Sequence, residues 1–213
     1  QDTDLKQENR LAAVVTGRRV PAQWGAAAAG VDFFDLKQDL DVLLGALGCT
    51  DLRYEAASDS AYHPRQFARV WHGDRCVATI GRLHPATLRI MDLPGSALAF
   101  EIIWAALPAP AAATFQPLSR FPSVRRDLAL VVDEQVPAAR VMACVSEACG
   151  AALRDLQLFD VYRGQGIDSG KKSLALGLIF QSASSTLTDK EIDELVAGVV
   201  AAVGRDLNGV LRT

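Results

Sequence analysis

The spacing of apolar positions alternates along the chain between period two and period 3.6, and each switch predicts an element. RLAAVVTG, Arg10 to Gly17, is a continuous apolar run that predicts a buried strand. Asp32 to Leu47 places Phe33, Leu36, Leu40, Leu43, Leu44 and Leu47 on one stripe, a helix stopped by Gly48. Leu52 to Ala57 predicts a strand, and Gln66 to Leu83 a hairpin whose alternating arms flank HGDR. A short helix is expected from Pro85, then an apolar strand over Ala97 to Leu107. Together these give an antiparallel or mixed sheet with helices, an α+β arrangement.

The segment LPAPAAATFQPLSRFPS, Leu107 to Ser123, has neither period and reads as a linker, so domains are expected at 1–113 and 114–213. Beyond it, Arg126 to Val132 predicts a strand and Val136-Pro137 opens a helix that runs to Cys149 and stops at Gly150. Strands are expected over Leu153 to Arg163 and Lys172 to Ser182, around a Gly-rich turn. In the last helix Thr188 can cap, with Glu191 three residues on and Leu187 and Ile192 as a staple. Ile192, Leu195, Val196, Val199 and Val203 then keep the helical period, and GVLR closes with a short strand. The order β-α-β-β-α-β predicts a ferredoxin-like sandwich, with both helices on one face of a four-stranded sheet and the other face open.

The strand Lys172 to Ser182 is lopsided. Leu174, Leu176, Leu178 and Phe180 form one face, which the helices are expected to bury at roughly 1.5–3 kcal/mol per side chain. Ser173, Ala175 and Gly177 form the other, which should be a flat, bare platform. If the hairpin closes symmetrically about Ile167 and Asp168, Ser173 lies opposite Tyr162 and Ala175 opposite Asp160. Strict alternation then turns Phe159 and Val161 toward the helices. An aromatic ring, a carboxylate and a hydroxyl converge on the open face, with Arg163, Lys171 and Lys172 beside them. This set suits an unstacked RNA base: the ring stacks, Asp accepts from base N–H groups, and the cations hold phosphate. Taken singly, Tyr162 is equally an ordinary edge-strand aromatic and Lys171-Lys172 a solvated turn. An open sheet face is also a protein-docking surface.

Composition narrows the field. The 213 residues are 50% apolar and 22% charged, suited to a globular protein with a substantial core. A net charge of -3 gives no overall attraction to nucleic acid or membrane, so an anionic partner must meet a local patch. No apolar run approaches the ~20 residues of a membrane span. Cys49, Cys76, Cys144 and Cys149 form no CxxC pair and read as structural thiols of a reducing cytoplasm. His63, His72 and His84 are scattered; His72 and Cys76 flank a turn without further ligands at zinc spacing. RGQGIDSG joins two strands and lacks the helix N-terminus of a phosphate site. No Ser-His-Asp set or tight carboxylate pair suggests an independent enzyme. A chain beginning with Gln reads as a processed chain or an excised piece of something longer.

RFPSVRRDLALVVDE, LFDVYRGQGIDSGKKSLALGLIFQS, TLTDKEIDELVAGVV and GVLR, in this order, resemble the ferredoxin-fold anticodon-binding domain that closes the bacterial phenylalanyl-tRNA synthetase beta subunit. VDFFDLKQDLDVLL, YHPRQFARV, IGRLHP and FEIIW resemble the same subunit's catalytic-like module, part of a class II synthetase fold without activity of its own. The resemblance implies a cytoplasmic (αβ)2 enzyme that charges phenylalanine tRNA using ATP and Mg2+. The alpha subunit and phenylalanine tRNA are the implied partners, with no role for DNA or membrane. It implies anticodon contacts at Asp160, Tyr162 and Ser173; Arg125, Arg126, Arg163, Lys171 and Lys172 follow from charge and position as backbone contacts.

The tRNA-binding-type and editing modules of that family are absent, as is any motif for adenylate formation, which lies on the alpha subunit. The chain alone is therefore expected to be inactive and to hold no cofactor. Its sheet, entered inside the catalytic-like module, is expected to leave an edge able to pair with another chain. The competing expectation is a scaffold that docks on the alpha subunit and binds little RNA directly.

Overall fold

Two separate apolar sets close two separate cores. The computed structural model describes residues 7–93, 95–109, 115, 119–182 and 184–212. The chain divides into two compact units, Gln1–Thr114 and Phe115–Thr213. Residues 110–114 and 116–118 of the segment read as a linker lie outside the described residues.

The first unit is a five-stranded antiparallel sheet of β1 (Arg10–Thr16), β2 (Leu52–Ala56), β3 (Tyr62–His72), β4 (Arg75–Leu83) and β5 (Ala97–Ile103), in the order β1-β5-β4-β3-β2. Helix α1 (Phe33–Ala46) buries Leu36, Leu40 and Leu44 against Val70, Ile80, Leu98, Phe100 and Ile102. Asp32 caps it, accepting from the N–H groups of Phe34 and Asp35, while the Asp35 side chain accepts from the Asp32 N–H. A short helix, α2 (Pro85–Ile90), follows His84, whose Nδ1 accepts from the Ala86 N–H.

Two expectations fail here. The run Arg10 to Gly17 is not a buried strand: β1 is an edge strand with Val14 60% exposed and Leu11 39% exposed. An apolar run cannot reveal that only one side of the strand has a neighbour. The last strand stops at Ile103 rather than Leu107, because Trp104–Ala106 turns into a 3-10 helix.

The second unit has the β-α-β-β-α-β order: β6 (Val124–Asp133), α3 (Ala138–Cys149), β7 (Leu153–Tyr162), β8 (Lys171–Phe180), α4 (Asp189–Leu207) and β9 (Val210–Leu211). All pairs are antiparallel in the order β7-β8-β6-β9, so β8 is central and β7 an edge. Leu174, Leu176, Leu178 and Phe180 of β8 are buried with Val141, Val145, Ile192, Val199 and Val203 of the two helices. Pro137 is not inside α3 but is its extended N-cap, φ -63° and ψ 140°, one position earlier than the first-turn site expected. Thr188 and Glu191 close the capping box of α4. The helix ends on Asn208 in the left-handed conformation. Gly209 then passes so close to the core that an added Cβ would lie 2.6 Å from Val203 Cγ1 and 2.9 Å from Val132 Cγ1. Only glycine lets the chain return there to the sheet edge.

Candidate nucleic-acid interface

With the helices on the Leu/Phe side of β8, pairing register fixes what stands on the other face. Tyr162 lies opposite Ser173, which lies opposite Val131, which in turn pairs with Val210. The next row is Asp160, Ala175 and Ala129. Beyond it Gly177 stands between Gln157 and Asp127. Tyr162, Asp160 and Ser173 are thus brought onto one face, in the pairing the symmetric hairpin predicts.

The face is not bare, however. Ser173 is 2% exposed and Gly177 is buried. At Gly177 the missing side chain makes room for Arg125 from the neighbouring strand β6. Arg212, one residue beyond β9, donates its backbone N–H to the Ala129 carbonyl at 2.7 Å, which sets it in the Asp160 row. Its guanidinium lies 4.8 Å from the Tyr162 ring centroid, although β9 and β7 are the opposite edges of the sheet. The Tyr162 hydroxyl donates to the Gln165 carbonyl at 3.2 Å, which fixes the ring against the turn.

A second aromatic also faces this way. The pairing slips between Leu158 and Asp160: Leu158 pairs with Leu176, and Asp160 with the adjacent Ala175. This β-bulge leaves Phe159 as the extra residue and breaks strict alternation. Phe159 does not enter the helix layer; it is 49% exposed, and the Arg125 guanidinium lies 5.6 Å from its ring centroid. That guanidinium rests on Gly177, where an added Cβ would come within 2.8 Å of Arg125 Nη2. Asp127 accepts from Arg125 Nε at 2.7 Å and tethers it. Val161, by contrast, pairs with buried Leu174 and keeps the helix side.

The expected cations separate into three groups. Arg125 is on the open face. Arg163 and Lys171 are exposed beside the β7–β8 turn, ion-paired with Glu134 at 3.0 Å and Asp168 at 3.0 Å. Lys172 is 8% exposed on the helix side, opposite buried Val132, and its Nζ donates to the Glu134 carbonyl at 2.7 Å. Arg126 also takes the helix side, opposite Leu178, and pairs with Asp189 at the start of α4. Lys172 and Arg126 therefore do not reach the face where Tyr162 and Asp160 stand. Strand parity, which charge and position alone do not carry, sets them apart from that face.

Arg212 and Phe159 are the functional candidates that sequence reasoning missed. The parity of GVLR carried a signal for Arg212, since it shares a face with Val210; the bulge at Phe159 left none. Elsewhere, burial raises the Cys49 thiol and pushes Cys149 up to about 11, which makes both poor nucleophiles near neutral pH. Among the described residues no three His, Cys, Asp or Glu side chains gather as a metal site, and no helix is long and apolar enough to cross a membrane.

Comparison with known proteins bears on both units. Residues 119–212 match the family model of the ferredoxin-fold anticodon binding domain, and residues 1–104 that of the phenylalanyl tRNA synthetase beta chain CLM domain. The phenylalanine–tRNA ligase beta subunit of Methylococcus capsulatus is 42% identical over 212 residues, covering 100% of this chain and 27% of the relative. Those of Pseudomonas fluorescens Pf-5 and Colwellia psychrerythraea are each 40% identical, covering 98% and 99% of this chain and 26% of each relative. The chain thus spans about a quarter of the length of the curated relatives it matches. Carrying the anticodon-binding domain behind the CLM domain, it belongs to the phenylalanyl-tRNA synthetase beta chain family.

Proposed function

We propose that the second unit reads the anticodon of phenylalanine tRNA on the open face of its sheet. The observation that carries this reading is the single row of Tyr162 and Ser173 beside the Asp160–Ala175 pair. Tyr162 offers a ring for stacking. Asp160 is an exposed acceptor for base N–H groups, and Ser173 lies in the floor between them. Arg125 and Arg212 supply local positive charge on a chain whose net charge is -3. Arg163 and Lys171 hold phosphate by exchanging their carboxylate partners for it.

The wider role is proposed from the relatives. The chain acts within the beta subunit of a cytoplasmic phenylalanine–tRNA ligase that works as an (αβ)2 assembly and uses ATP and Mg2+ on its alpha subunit. Residues 1–113, part of a class II synthetase-like module, serve assembly. The exposed Leu11 and Val14 of the β1 edge favour that assignment. A second reading, a scaffold that docks on the alpha subunit and binds little RNA directly, draws on the same exposed edge.

Titration of the full chain with the anticodon stem-loop of phenylalanine tRNA tests the proposal. Tyr162→Ala should weaken binding by about 1–3 kcal/mol, the loss of one base-stacking contact. Equal affinities of wild type and Tyr162→Ala would remove the stacking role. A chain that associates with the alpha subunit and shifts no RNA would favour the scaffold.

A further inference from the structure

We infer that the open face carries a second base-stacking position on Phe159, separate from Tyr162, created by the β-bulge and completed by Arg125. The inference rests on the anticodon reading above and extends it from one stacked base to two.

A half-exposed Phe on an edge strand would ordinarily need no explanation. This one has three features that a mere surface aromatic lacks. The bulge between Leu158 and Asp160 turns its ring away from the helix layer, at the cost of a regular ladder. The ring carries a planar cation at 5.6 Å, the pairing that single-stranded nucleic-acid sites combine with stacking. That cation has a built seat: Gly177 has no side chain to obstruct it, and Asp127 holds its Nε at 2.7 Å. The three features belong to three strands, β7, β8 and β6, and converge on one point.

Position supports an RNA base as the occupant. Phe159 and Tyr162 are three residues apart on β7, about 10 Å along an extended strand, with Asp160 between them. Each ring has its own guanidinium, Arg125 over one and Arg212 over the other. Two ring–cation pairs at this spacing suit two bases splayed from one strand, with a cation near each for the backbone. The site is continuous with the Tyr162 row and shares its face.

The test uses the full chain and the anticodon stem-loop of phenylalanine tRNA carrying 2-aminopurine at single loop positions. Phe159→Ala should weaken binding by about 5- to 150-fold and Phe159→Tyr should restore it. It should also abolish the 2-aminopurine response at a loop position different from the one lost in Tyr162→Ala. Gly177→Ala places a methyl group against Arg125 Nη2 and leaves Phe159 in place. It should lower affinity and reduce the slope of log K against log salt by about 0.7, one counterion fewer on a single strand. Thermal midpoints of these variants should stay near wild type, because the ring is half exposed and the guanidinium can swing aside.

If Phe159→Ala and Gly177→Ala bind as wild type at every labelled position while Tyr162→Ala binds weakly, the second position falls and the anticodon reading stands. If the wild type fails to bind, or Tyr162→Ala is equally without effect, the anticodon reading falls and takes the second position with it.

Discussion

A buried serine is an unusual base contact unless something above it moves. Ser173 is 2% exposed, and the Arg212 guanidinium, 4.8 Å from the Tyr162 ring centroid, reaches across the sheet from the opposite edge. A guanidinium on a ring is well placed either to meet a phosphate or to block a base, and its charge favours the first. Arg212→Ala is therefore expected to weaken stem-loop binding and to lower the salt slope by about 0.7. Arg212→Lys should keep the slope while losing the planar contact with the ring. Tighter binding of Arg212→Ala would mean that the guanidinium competes with the base. At this scale the pairs Tyr162–Ser173 and Asp160–Ala175 were legible because a hairpin that closes symmetrically fixes the register of its two strands. Phe159 was not, because one bulged residue reverses a face without changing the apolar alternation that reports it. Ser173, Ala175 and Gly177 were correctly read as small, but what small residues leave space for comes from other strands.

Elements were legible where their signals are local. Helix α4 announces itself by Thr188, Glu191 and a 3.6-residue apolar period, and all three reappear in the fold. Thr188→Ala should cost about 1 kcal/mol of stability, read as a lower urea midpoint for the second unit. The pH dependence of that cap follows from Glu191. Hydrogen bonds from the Thr188 backbone N–H, and then from its hydroxyl, hold the Glu191 carboxyl below its ordinary range. A carboxylate depressed in the fold stabilises above its unfolded pKa, and the contribution disappears as pH falls through the folded value. The wild-type urea midpoint should therefore fall more steeply than that of Glu191→Gln between about pH 6 and about pH 3. Parallel profiles would show that the carboxylate has no part in the cap. Strand β1 was the illegible element, since an apolar stretch looks the same whether a sheet flanks it on one side or two. Its exposure depends on the order β1-β5-β4-β3-β2, a property of pairings far apart in sequence.

At the scale of the whole molecule the chain holds two cores rather than one. Leu40 and Leu176 are both 0% exposed, and they belong to different clusters. Either Leu→Ala change should cost about 2–5 kcal/mol, the usual price of a cavity in a close-packed interior. Which unit feels the loss can be read separately, because Trp24, Trp71 and Trp104 all lie in the first unit. Leu40→Ala should move the tryptophan-fluorescence transition to lower denaturant. Leu176→Ala should leave it in place and shift instead the far-UV circular dichroism lost with α3 and α4. Movement of the fluorescence transition by Leu176→Ala, to the same extent as the dichroism, would mean that the two cores unfold as one cooperative unit. Independent transitions would have a functional consequence for the proposed division of labour. The sheet face that carries Tyr162 and Phe159 could then be altered, residue by residue, without disturbing the unit proposed to serve assembly.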